Sequence, residues 1–181
     1  MSLSTTPDRE HDGKSRRSRR PEAVVLFWVA NQMFAIAAGA VQEIRSTDSL
    51  AGAANEIEHS ALPKVRHTLE WGRRTCYVVN AGMHFGLPIT RPSLVLILRQ
   101  MRAAVLVDRI DRMTEIAAVY PLPHAFTGEE RHWYRGLAYV DDSVIPVVQP
   151  AGFLTAEEFA QLDCTAGGGG SQREMHGVVQ A

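Results

Sequence analysis

Few residues in this sequence have the types and spacing that chemistry needs, and Asp108 is the first to weigh. It follows Val105-Leu106-Val107 and, with Arg109, interrupts an apolar run. A charge placed there must be paired, capped or exposed at a bulge. Such a carboxylate fixes local geometry or joins a binding surface; beside a histidine such as His84 or His132 it would form the acid–base pair of a small β-barrel enzyme. The histidines, His11, His59, His67, His84, His124, His132 and His176, include no i,i+4 pair and no HExxH spacing, so they do not read as metal ligands. A GxSxG elbow, a Walker loop and a GxGxxG turn are all lacking, and the glycines at 167–170 follow a helical segment instead of joining a strand to one. Asp141-Asp142-Ser143, between two apolar runs, is turn chemistry, because Asp tolerates the left-handed region and caps its own backbone. Cys76 and Cys164 lie far apart and form neither a CxxC site nor a disulfide framework, which suits a reducing cytoplasm. These residues imply no metal, no cofactor and no enzyme.

The elements that must position these side chains are short apolar runs of strand length separated by turn residues. Val24–Val29 and Met33–Ile36 flank Asn31-Gln32 and read as a hairpin. Further strands are expected at Val41–Arg45, Thr75–Val79, Leu94–Leu98, Ala103–Val107, Ile110–Ile116, Tyr134–Val140 and Val144–Val148. Strands in series without alternating helices indicate barrels or a sandwich. Pro146 cannot donate to a ladder, which predicts an edge strand or a bulge there. Leu50–Ser60, rich in Ala and Glu, reads as a short helix or a long loop. At the end of the core, Thr155 as N-cap with Glu158 three residues later forms a capping box, and Leu154 can staple to Phe159, which predicts a helix over Thr155–Asp163.

Composition sets the outer bounds. The chain has 181 residues, 45% hydrophobic and 22% charged, enough for a core without staples. Residues 1–21 are polar and basic, with Lys14-Ser15-Arg16-Arg17-Ser18-Arg19-Arg20, and read as a disordered tail; residues 164–181 read as a flexible Gly-rich tail. The folded unit is expected over residues 22–163. Its charge leans acidic, so no nucleic-acid partner is expected. The apolar run Ala23–Val29 is too short for direct membrane insertion.

The order of the pieces carries a resemblance. Phe27-Trp28-Val29-Ala30-Asn31-Gln32-Met33-Phe34-Ala35-Ile36, followed by Val41-Gln42-Glu43-Ile44-Arg45, resembles the opening hairpin and "VQEI" strand of CheW-like domains. Val105-Leu106-Val107-Asp108-Arg109-Ile110 is similar to their "VDxV" strand. Tyr120-Pro121-Leu122-Pro123 resembles their proline loop, Arg135-Gly136-Leu137-Ala138 their "GlA" strand, and Val144–Val148 through Phe153-Leu154 to Asp163 their closing strand and helix. The likeness spans residues 23–163.

What the resemblance implies is a mainly β fold: two small SH3-like five-stranded β-barrel subdomains packed together, with a short C-terminal helix. It implies a non-catalytic adaptor of a chemosensory complex, with the regulatory domain of a CheA-type histidine kinase as partner and the cytoplasmic tip of a chemoreceptor as a second. It places partner contacts at Val41, Glu43 and Ile44, at Trp71 and Gly72, and at Val107, Asp108, Arg109 and Ile110. Strand alternation puts Val41 and Glu43 on one face. Trp71 stands where the family has a receptor-contacting arginine, and an indole in place of a guanidinium removes a bidentate charged donor. The alternative is therefore a repurposed interaction module, in motility or gene regulation, that has lost standard receptor binding.

Overall fold

Most apolar runs in this chain are strands buried on two faces. The computed structural model describes residues 21–50 and 52–167. In chain order the strands are β1 (Glu22–Val29), β2 (Gln32–Ala37), β3 (Val41–Ser46), β4 (Ala54–Glu56), β5 (Val65–Trp71), β6 (Arg74–Asn80), β7 (Leu94–Leu98), β8 (Ala103–Val107), β9 (Arg109–Ile116), β10 (Tyr134–Val140) and β11 (Ser143–Val148). A one-turn helix, α1 (Ala81–His84), follows β6, and α2 (Ala156–Gly167) closes the described chain. One sheet has the order β10-β11-β2-β1-β9, the other β3-β7-β8-β6-β5-β4. Each curls into a barrel: barrel 1 from both ends of the described chain, and barrel 2 from the middle.

Period-two alternation divides each strand between two cores. In β1, Val24 and Leu26 fill the interior of barrel 1, whereas Val25, Phe27 and Val29 enter a core shared by both barrels. In β8, Ala104 fills barrel 2, and Ala103, Val105 and Val107 enter the shared core. Phe153, Leu154 and Leu162 seal the shared core from the α2 side. A strand with both faces covered needs apolar residues at successive positions, which explains the unbroken runs in the sequence. Each fully buried Leu or Phe contributes about 1.5–3 kcal/mol.

The fold is mainly β, with two barrels, as expected, and the differences lie in detail. Barrel 2 has six strands, because Ala54–Glu56 adds the edge strand β4, paired Ala54↔Leu69 through Glu56↔His67. Pairing and the packing of Ala54 on the interior of barrel 2 override the helical lean of the Ala/Glu-rich stretch. Strand β5 was hidden in the sequence, since a bulge between Val65 and His67 breaks its alternation. The first hairpin turns at Ala30-Asn31, one residue earlier than expected; both have positive φ (47° and 65°), the type I′ geometry that matches strand twist.

Pro146 lies in an interior strand instead of an edge, since β11 sits between β10 and β2. Its partner Leu137 directs both its N–H and its carbonyl at Tyr120 (2.8 and 2.7 Å), away from Pro146. Leu137↔Pro146 is thus a non-hydrogen-bonded pair, where a missing donor costs the ladder nothing on that side.

Helix α2 has the expected capping box: the Thr155 N–H donates to Glu158 Oε2 (2.9 Å), and Glu158 N–H donates to Thr155 Oγ1 (3.2 Å). The helix continues to Gly167, four residues past the expected end. The expected tails lie outside the described residues, apart from Pro21 and residues 164–167. Among the described residues, no helix is long and apolar enough to cross a membrane.

Candidate protein-interaction surface

Strand β3 is an edge of barrel 2, so one row of its backbone groups faces outward. A bulge at Gln42 sets which side chains it presents: Val41 lies opposite Leu98, but Glu43 lies opposite Ile97. Leu98 belongs to the shared core and Ile97 to the interior of barrel 2. Val41 and Glu43 therefore point to opposite faces, contrary to simple alternation, because the extra residue inverts the register. Val41 packs partly buried against the shared core, while Ile44 is 39% exposed.

Glu43 meets Trp71 across the barrel. Trp71 ends β5, which is separated from β3 by three strands in the sheet order, and its Nε1 donates to Glu43 Oε2 at 2.9 Å. Arg45 holds the same carboxylate through Nε and Nη2, at 2.6 and 3.2 Å. The arginine first, and the indole second, keep the Glu43 carboxyl below its usual range, so it stays ionised. Gly72 supplies positive φ (61°) at the first position of the two-residue turn to β6, a type II′ requirement that fixes where the indole sits.

Asp108 has a different place. It is the single residue between β8 of barrel 2 and β9 of barrel 1, where the chain crosses from one to the other. Its N–H donates to the Trp28 carbonyl (2.9 Å), and its carbonyl accepts from the Ser93 hydroxyl. One carboxylate oxygen accepts from the Ala30 N–H (2.7 Å) and the other from the Thr90 hydroxyl (2.5 Å). Both oxygens thus stabilise the crossing and the strained Ala30 turn, and no hydrogen bond joins Asp108 to His84 or His132. Neighbouring Val107 is fully buried and offers no surface, and Ile110 packs against the shared core. Arg109 remains outside, its guanidinium 4.3 Å from the centre of the Trp28 ring.

The structure therefore brings Glu43 and Trp71 together next to Gly72, turns Ile44 to the opposite face of the same strand, and gives Val107 and Asp108 to the fold. Sequence reasoning passed over Arg45 as an individual residue, although a charge two places from Glu43 on one strand was a legible sign. It also passed over Tyr139 and Val144, cross-strand partners on barrel 1 exposed by 64% and 53%.

Two β-barrels sharing one core, entered and left by the same chain, with a polar cluster and an exposed isoleucine on one edge, define a double-barrel interaction module. The model of the CheW-like domain matches residues 23–158, and the chain belongs to that family. No curated protein matches it. Among solved structures, the scaffolding protein TtCheW from Thermoanaerobacter tengcongensis matches with a TM-score of 0.60 and 18% identity, over 71% of this chain and 89% of that one. The likeness to that structure is one of fold.

Proposed function

We propose that this chain is a non-catalytic adaptor that couples chemoreceptors to a CheA-type histidine kinase, with the β3 edge and the Trp71-Gly72 turn as its contact face and the exposed Arg109 of barrel 1 as a separate contact position. Family membership supports the general role, and one observation carries the surface. Residues the resemblance assigns to partner contact, Glu43 and Trp71, are hydrogen-bonded to each other on an open edge strand that exposes Ile44 on its other face. An apolar anchor rimmed by charges is the composition such an interface needs.

Calorimetric titration with the regulatory domain of a CheA-type kinase tests this. Binding at tens of micromolar or tighter is expected, weakened at least about tenfold, or ~1.4 kcal/mol, by Ile44→Glu. No heat at those concentrations, or an unchanged affinity in the variant, counts against it.

Trp71 favours a second reading, a repurposed module that meets another partner. The indole fills the position of the family arginine and is committed to Glu43. Trp71→Arg separates the two: gained receptor binding marks a coupler that diverged at one position, and loss of a different partner marks the repurposed module.

A further inference from the structure

On the α2 side of the shared core lies a groove of about 990 Å³, with Trp133 and Met83 among the residues of its wall. Its rim carries Glu129 and Glu157, and the described residues give neither an ion-pair partner. Its cation, Lys64, is already held by Glu158 at 2.7 Å. The charge left uncompensated in the groove is therefore negative.

The wall also contains an unanswered donor. His84 is 4% exposed, and its Nδ1 lies 3.4 Å from Lys64 Nζ. An ammonium has only protons to give, so Nδ1 is the acceptor and the neutral ring carries its proton on Nε2. That N–H is buried and has no hydrogen-bond partner among the described residues. The sealed His84 N–H lies out of a ligand's reach, but open carboxylates and an indole in the wall suit an extended cationic peptide, whose guanidinium groups pair with the carboxylates and stack on the indole.

The chain itself contains such a segment, Lys14-Ser15-Arg16-Arg17-Ser18-Arg19-Arg20, which ends at Pro21, where the described residues begin. The next residue, Glu22, accepts two hydrogen bonds from Arg135 (2.6 and 2.9 Å), and Arg135 is two residues from Trp133. Six extended residues reach about 20 Å, and a short tether gives an effective concentration on the order of millimolar. We propose that the segment Lys14–Arg20 docks in this groove of its own chain, as a strap between the start of barrel 1 and α2. The strap does not depend on the adaptor role and lies apart from the β3 face.

A nitroxide on the full chain tests it, carried by Ser18→Cys in a Cys164→Ser background, with the indole N–H signals of Trp28, Trp71 and Trp133 as reporters. Loss of the Trp133 signal alone, restored by the Glu129→Gln/Glu157→Gln double substitution, is the expected result. No loss, or equal loss at all three indoles, overturns the proposal. Loss seen only when label and isotope are on different molecules overturns it in favour of a second copy. Loss from a label at Ala181→Cys but not at position 18 assigns the groove to the other terminus and overturns it as well.

Discussion

In barrel 1 the sheet closes where β10 meets the segment after β9, and in barrel 2 it closes where β3 meets β5. The first seam is mostly backbone: Tyr120 and Leu137 exchange N–H···O bonds, Gly136 lies directly beneath the Tyr120 carbonyl, and ion pairs Arg112–Asp141 and Arg135–Glu22 flank them. The second seam is side chain on side chain, Trp71 to Glu43 to Arg45, with the two charged partners more than a third exposed. Backbone closure at Tyr120 and Leu137 has one geometry and pairs the N–H and carbonyl of both residues. Side-chain closure can be undone and remade, so a partner that drew Glu43 and Trp71 apart would have no backbone ladder to break at this seam. The difference explains why the barrel with the looser seam carries the proposed contact face.

Gly136→Ala is the largest expected break. Gly136 has φ of 154°, and an added Cβ would lie 2.1 Å from the Tyr120 carbonyl oxygen. Strain and overpacking together are expected to cost about 3 kcal/mol or more. Urea unfolding reads this directly, and a loss below about 1 kcal/mol would show that the backbone seam yields as easily as the other.

Between the seams lies the shared core, and acid should reach it through His84. Burial, with the Lys64 charge second, pulls the His84 pKa down to about 3 from 6.5. The unfolded chain therefore binds a proton between those values that the folded chain does not, and stability is lost as pH falls below about 6.5. At pH 5 the loss is expected to be about 2 kcal/mol relative to neutral pH. His84→Gln removes that increment, measured as the difference between the two proteins in urea unfolding at pH 7 and pH 5. Equal pH dependence in both would place the acid sensitivity elsewhere.

How much of this was legible in the sequence depends on how far apart the partners are. The capping box at Thr155 and Glu158, the Asp141-Asp142 turn and most strands rest on neighbours within a few residues, and they are where the residue types put them. The bulge at Gln42, the pairing of β4 and the interior position of Pro146 depend on strands dozens of residues away, so local pattern misassigned them. The site divides the same way. Glu43 and Trp71 stood out through resemblance, but their hydrogen bond spans 28 residues and the contact of His84 with Lys64 spans 20, and no spacing rule encodes either. Asp108 was rightly marked as a charge needing partners, and only the crossing between barrels shows which ones.

The smallest expected effects sharpen the seam comparison most. Trp71→Phe keeps a ring against the interior of barrel 2 and removes only the donor, and Glu43 is left with Arg45 and water, so about 1 kcal/mol or less should be lost. Arg112→Gln removes the exposed pair with Asp141 that flanks the other seam, together with the neighbouring contact to Asp111, for about 0.5–1 kcal/mol that fades as salt rises. Urea unfolding of both at low and high salt checks the pair. If Trp71→Phe instead costs several kcal/mol, the indole is a closing pin as strict as Gly136, and a partner could not draw it away from Glu43 while the barrel stays folded. If it costs little yet weakens partner binding tenfold or more, the side chains of this seam serve recognition first and closure second.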